Sequence, residues 1–254
     1  MWKRLPYPLL LASASPRRRE LLELVGLPFK VVPPPPEAEP PCHLGAGLGA
    51  LEALEALQPL AQGTRELSEN ELRLGVGKPV YAQAGPGSNL TLRLYEPGEA
   101  PFLAQVVQAV QDSAQAKAQG VVSLWKGEEV LVLGADTVVV CGRTVLGKPH
   151  SAEEARRMLR ALSGRWHHVA TGAALYATAT GQWRRACALT AVKFRFLAEE
   201  EIEAYVQTGH PLDKAGAYGI QELGSLLVEK IDGCYFNVVG LPLTVVRSLV
   251  QSVE

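Results

Sequence analysis

From Val130 to Val140 the chain reads Val-Leu-Val-Leu-Gly-Ala-Asp-Thr-Val-Val-Val, and this segment most limits what the protein can fold into. Its β-branched and leucine content marks a strand over 130–133, followed by a run over 134–140 that one carboxylate interrupts. The lack of polar alternation marks a run covered on both faces, as in the interior of an α/β sheet. Asp136 contradicts that pattern. An isolated buried carboxylate is costly, so it requires a cation, a metal ion or several hydrogen-bond donors. A pair with Lys148 or a turn cap is the plain structural reading. A carboxylate at the end of a buried strand is also where α/β sheets place their ligand crevice.

The rest of the chain supplies partners for such a strand. Periodicity predicts a strand over 9–12, a helix over 16–25 opened by Ser15 and Pro16, and a strand over 29–32. It predicts further helices over 102–119, 152–162 and 198–208, strands over 167–177 and 182–196 turning at Gly181, and a last helix opened by Pro242. Ser151 and Glu154 form a capping box for the helix that Gly164 closes. Asp232-Gly233 reads as a hairpin turn. His167 and His168 are adjacent on a strand and point to opposite faces, which makes them poor joint metal ligands. Four prolines, 33–36, end the first unit; the Gly, Ala, Leu and Pro-rich stretch that follows holds one helical pattern over 48–60. The expectation is one domain over 1–254 carrying an atypical, partly disordered insertion at about 40–100.

Two stretches point to ligand chemistry. In Ser13-Ala14-Ser15-Pro16-Arg17-Arg18-Arg19 a helix opens with three cations, although its N-terminus already carries positive partial charge. An anion reconciles the conflict: backbone N–H groups, two hydroxyls and guanidinium forks suit a phosphate, and a solvated basic turn is the bland alternative. The loop over 211–221 is rich in Gly and Ala yet carries Asp213, Lys214, Tyr218 and Gln221, so backbone can approach a ligand while side chains read it.

Composition limits the partners. With 254 residues, 47% hydrophobic, and a net charge of -1, the chain has the size of an ordinary enzyme and no broad basic surface for nucleic acid. Cys42, Cys141, Cys187 and Cys234 are scattered, which favours reduced thiols over disulfides or structural zinc. The apolar run over 8–12 is too short for an export signal and no stretch reaches the roughly 18 residues of a membrane span, so a soluble, cytoplasmic protein without a membrane partner is expected.

Taken in order, residues 11–22, 134–140 with Lys148-Pro149, 162–172, and 213–221 with Gly240-Leu241-Pro242 resemble the Maf-like nucleoside triphosphate pyrophosphatases. The resemblance implies an elongated mixed sheet with flanking helices, akin to inosine triphosphatases, in two lobes around a central cleft. It implies hydrolysis of a nucleoside triphosphate to the monophosphate and pyrophosphate with Mg2+ or Mn2+, by a homodimer. On this likeness Ser13, Arg17 and Arg18 bind phosphate, Asp136 is the catalytic acid of Gly-Ala-Asp-Thr, and Lys148 is the lysine of Lys-Pro. Glu37 falls where the family keeps a further carboxylate, and with Asp136 it is the candidate metal ligand. Gln221 matches the glutamine of the branch preferring dTTP and UTP. Some 80 residues separate Glu37 from the alanine-rich segment 113–118, far above ordinary connections, and Lys117 there is the candidate for the remaining cleft lysine. Asp136 can hold the metal or accept a proton from the attacking water. The competing expectation is a nucleotide-sensing regulator of cell division with little or no catalysis.

Overall fold

The computed structural model describes residues 5–38, 65–67, 92–94 and 99–253. In chain order these form β1 (Leu9–Ala12), α1 (Pro16–Leu24), β2 (Phe29–Val31), a 3-10 turn (Pro36–Ala38), β3 (Arg65–Leu67), β4 (Leu92–Leu94) and α2 (Glu99–Leu124). They continue with β5 (Leu131–Cys141), β6 (Thr144–Leu146), α3 (Ala152–Leu162), β7 (Trp166–Ala177), β8 (Gln182–Phe194) and α4 (Glu199–Gln207). Three 3-10 turns (His210–Asp213, Ala215–Ala217, Glu222–Leu227) precede β9 (Val228–Asp232), α5 (Tyr235–Val239) and α6 (Leu243–Gln251). The helix expected over 48–60 and most of the expected insertion lie outside the described residues. Among the described residues no helix is long and apolar enough to cross a membrane.

Seven strands make one mixed sheet in the order β2-β1-β5-β7-β8-β9, with β6 also on β5; β3 and β4 form a separate antiparallel pair. β1 runs parallel to β2 and β5, whereas β5, β7, β8 and β9 are antiparallel neighbours. The apolar run at 131–141 is therefore a central strand, fully buried except near Asp136 and Thr137.

Along one edge of β5 the partner changes. β1 covers Leu131–Gly134 and ends at Ala12, and β6 begins opposite Val139. Residues 135–138 face no strand there among the described residues, while β7 pairs with β5 along the other edge from Leu131 to Val140. The sheet splits at this gap, and the core divides with it. On the β1 side, α1 and α6 cover one face through Leu22 and Val246, and the end of α2 covers the other through Ala118 and Val121. On the β6 side, α3 and α4 cover the first face through Leu159 and Ile202, while the start of α2 covers the second through Val106 and Val110. These are two lobes joined by the long strands β5, β7 and β8 and by α2.

Several local readings shift. The capping box is altered: Ser151 accepts from the Glu154 amide, but the Glu154 carboxylate takes the His150 N–H. Asp232-Gly233 does not turn a hairpin. Gly233 has φ +126 and the Cys234 amide donates to Thr190 Oγ1, so the chain leaves the edge strand β9 straight into α5. β8 stops at Phe194, since Arg195 N donates to Leu227 O and Phe196 turns to solvent. Among the described residues Cys141 and Cys187 are buried thiols and Cys234 a half-buried one, none of them in a disulfide. Cys42 lies outside the described residues.

Candidate active site

Asp136 lies at the gap in the sheet. Side chains alternate along a strand, so Gly134, Asp136 and Val138 share the face that α2 covers, and Ala135 and Thr137 point the other way. A Cβ on Gly134 would collide with the Ala114 carbonyl, and one on Gly172, the cross-strand neighbour of Asp136, would collide with the Val110 backbone. The two glycines let α2 lie directly on the sheet. That close seat brings Lys117 Nζ to 2.8 Å from Asp136 Oδ1, both side chains being mostly buried. The cation required by Asp136 is thus Lys117, not Lys148.

Glu37 reaches the neighbourhood by a similar device. The 3-10 turn that carries it packs through Pro35 and Ala38 on Gly120, one helical turn beyond Lys117, at a point where α2 has no side chain. The Glu37 side chain itself is exposed.

On the opposite face, Arg18 fills the gap between β1 and β6. Its Nε donates to Gly240 O at 2.9 Å, Nη1 to Ala135 O at 2.8 Å and Ser13 Oγ at 3.2 Å, and Nη2 to Thr137 Oγ1 at 3.1 Å. The guanidinium takes the place of a missing strand, satisfying a β5 carbonyl that β1 no longer reaches. Ser13 is buried too, and its hydroxyl also accepts from the Ser15 amide. Ser15 occupies the N-cap position of α1 without a side-chain capping bond. Thr137 passes the network on through Thr171 to the Asn237 carbonyl.

Arg17 and Arg19 behave differently. Successive helical residues project about 100° apart, and Arg19 lies exposed with Glu23 at 3.7 Å. Arg17 Nη1 reaches across to Asp213 Oδ2 at 2.9 Å, and Lys214 Nζ meets Asp213 Oδ1 at 2.6 Å. Partial burial works to raise the Asp213 pKa, but the hydrogen bonds from Lys214 and Arg17 outweigh it and hold the carboxyl below its ordinary value. Asp213 therefore bridges a cation on α1 and a cation on the Gly-rich loop. The Lys148 segment joins them: the Gly147 carbonyl accepts from the Gly216 amide, and Lys148 is exposed with no ionic partner among the described residues. Gln221 is half-buried after that loop, and its side-chain amide bonds to none of the described residues.

The structure thus gathers Asp136 and Lys117 as a contact pair, with the Glu37 turn packed on the same helix. It joins Ser13 and Arg18 in one network, and Arg17 with Asp213 and Lys214 in another. The sequence gives no sign of a role for Thr137, and it offers Asp213 and Lys214 only as members of a polar loop. Nothing in a linear chain pairs residue 213 with residue 17. The assembly offers several cations and at least two carboxylates around an unpaired strand edge, which is equipment for binding a polyanion together with a cation.

Comparison with known proteins agrees with this geometry. A family model described as Maf-like protein matches residues 94–253. The chain is 42% identical to a dTTP/UTP pyrophosphatase of Moorella thermoacetica over 241 residues, covering 95% of this chain and 92% of that protein. It is 36% identical to one of Thermotoga maritima, covering 94% and 85%, and 39% identical to one of Acetivibrio thermocellus, covering 92% and 90%. Asp136, Lys117, the strands β5 and β7 and the Gly-rich loop fall within residues 94–253, while Ser13, Arg17, Arg18 and Glu37 precede them, and the chain belongs to the Maf-like protein family.

Proposed function

We propose that this protein is a nucleoside triphosphate pyrophosphatase that hydrolyses dTTP and UTP to the monophosphate and pyrophosphate. The observation that carries the reading is the Lys117–Asp136 pair on the unpaired edge of β5, with Arg17 and Lys214 grouped across the same gap. A triphosphate brings roughly four negative charges, and preorganised cations in a partly water-excluded site stabilise the further charge that develops on its oxygens. Arg17, Lys148 and Lys214 serve the phosphate chain. Ser13 and Arg18 shape the wall beneath it. Asp136, fixed by Lys117, faces the place where water attacks, and Gln221 offers an amide donor and a carbonyl acceptor to the complementary edge of uracil or thymine. The relatives named as dTTP/UTP pyrophosphatases support this assignment.

Asp136 and Glu37, with phosphate oxygens, make the all-oxygen donor set that magnesium or manganese takes, commonly one or two carboxylates plus substrate. Such an ion, when bound, neutralises phosphate charge and polarises the phosphorus under attack. A homodimer working in the cytoplasm completes the proposal. The sensor reading is the weaker one, because a protein that only binds nucleotide has no use for a carboxylate held by its own lysine at the attack position. Pyrophosphate release measured over UTP, dTTP, CTP, ATP and GTP with Mg2+ or Mn2+ tests it. UTP and dTTP should turn over fastest, and absence of release from all five refutes it.

A further inference from the structure

The loop that carries Gln221 is held by groups outside the site. His167 lies near the start of the interior strand β7 with no exposed surface, beside the core of the β6-side lobe. Its Nε2 shares a 2.8 Å hydrogen bond with the Tyr218 hydroxyl, itself buried, across 51 residues of sequence. The His167 and Phe194 rings meet edge to face at 4.9 Å, and Tyr218 packs edge on against both, at 5.4 Å and 4.6 Å. His167 Nδ1 makes no hydrogen bond of full geometry, although the Arg165 backbone lies close enough to favour a proton on the ring. A fully buried imidazole is a poor choice for packing alone, since an aliphatic side chain fills such a space without desolvation cost, and here the bond to Tyr218 offsets that cost.

Tyr218 is followed by a crossing of the gap. Tyr218 packs in the core of the β6-side lobe, whereas Ile220, two residues on, packs in that of the β1-side lobe. Gly219 lies between, and its amide donates to the Tyr205 hydroxyl at 3.3 Å. Gly224 closes the segment, because any Cβ there would collide with the Gly219 carbonyl. Gln221 and Glu222 form the tip of this closed loop, with Glu222 in the left-handed region at φ +53. Nothing in the loop itself holds the Gln221 amide. Its placement is inherited from the anchors on either side.

We infer that His167 is a positioning residue for substrate selection: through its hydrogen bond to Tyr218 it fixes the segment that spans the gap, and so fixes where Gln221 meets the nucleobase. This rests on the reading of Gln221 as the base-recognising residue. The backbone consequence can be measured without any substrate.

The experiment uses the full chain as wild type, Tyr218→Phe, His167→Leu and the double variant. Tyr218→Phe keeps the ring packing and removes only the hydroxyl. KM for UTP should rise roughly five- to tenfold, the scale of one buried hydrogen bond. The kcat should stay within about twofold and the preference for UTP over CTP should fall by a similar factor. The double variant should be no worse than either single one, because both cut the same link. In parallel, hydrogen exchange of the peptide covering 214–224 should accelerate at least about fivefold in Tyr218→Phe with β7 unchanged, which uniform destabilisation does not produce. Unchanged exchange in 214–224 overturns the inference whatever the enzyme acts on. Faster exchange with unaltered KM and preference overturns the link to substrate selection. A wild type with no pyrimidine preference refutes the functional reading instead, and the exchange result then still decides whether His167 positions the loop.

Discussion

Replacing Arg18 should damage the fold as well as binding, and replacing Arg17 should damage binding alone. Arg18 is 9% exposed, and its head group donates to Ser13, Thr137 and the Ala135 and Gly240 carbonyls among the described residues. Truncation to Ala leaves buried acceptors short of a donor, at about 1–3 kcal/mol each. Allowing for relaxation and entry of water, Arg18→Ala should cost on the order of 3–5 kcal/mol, the range for breaking a buried charged network. For a domain of this size about 1 kcal/mol moves Tm by roughly 2–4 °C, so a loss of about 10 °C is expected. Arg17 makes a partly exposed ion pair with Asp213, whose side chain is 60% accessible. Such pairs contribute at most about 1 kcal/mol, and Arg17→Ala should shift Tm by no more than about 3 °C. Both substitutions should raise KM. Arg18→Lys cannot reproduce the planar fork that reaches Gly240 and Thr137 together, so it should recover only part of the lost stability. Thermal unfolding of the three variants, followed by circular dichroism, measures these shifts. If Arg17→Ala and Arg18→Ala melt within about 3 °C of each other, Arg18 does not stand in for a strand and the reasoning fails.

Three other outcomes are expected. Asp136→Asn should lower kcat by about a hundredfold or more while circular dichroism keeps its shape, and near wild-type turnover would remove Asp136 from the chemistry. Gln221→Glu removes an amide donor without altering shape, so hydrolysis of UTP and dTTP should fall selectively; an equal loss for ATP and GTP counts against base recognition. Burial, reinforced by the neighbouring His168 and only partly offset by the Arg165 backbone, holds His167 down at about 3 in the fold, against an ordinary value near 6.5 in the unfolded chain. Between those values the unfolded chain binds the extra proton, so this contribution is complete above about pH 6.5. It is lost as pH falls toward 3, by up to ~1.4 kcal/mol per unit. Comparing the loss of stability between pH 7 and pH 5 in wild type and His167→Gln checks this, since the variant should show the smaller loss.

Strands and helices in the matched regions were legible because their patterns are strong and local. Two misreadings show where locality ends. The helix expected over 102–119 stops just before Gly120. Here the helix continues to Leu124, and Gly120 is a seat for Pro35 and Ala38. Asp232-Gly233 has hairpin chemistry, yet β9 is already paired with β8 and lies at the edge of the sheet, so the chain has no strand to return to and enters α5.

The site divides along the same line. That Asp136 needs a cation follows from burial alone, and the pattern of an apolar run with one carboxylate states it. Which lysine answers depends on two glycines that admit α2, and a lysine in an alanine-rich helix gives no sign of that. The three arginines of α1 are likewise equivalent as a sequence. They become distinct only because β1 stops at Ala12 and leaves the carbonyl of Ala135 without a strand. The inward arginine completes the sheet, the next one along the surface meets the loop, and the third meets solvent. A single structural event, the early end of one strand, thus opens the edge that holds Asp136 and assigns the neighbouring cations their separate tasks. It follows that lengthening β1 past Ala12 would close the site while leaving each of these side chains in the sequence.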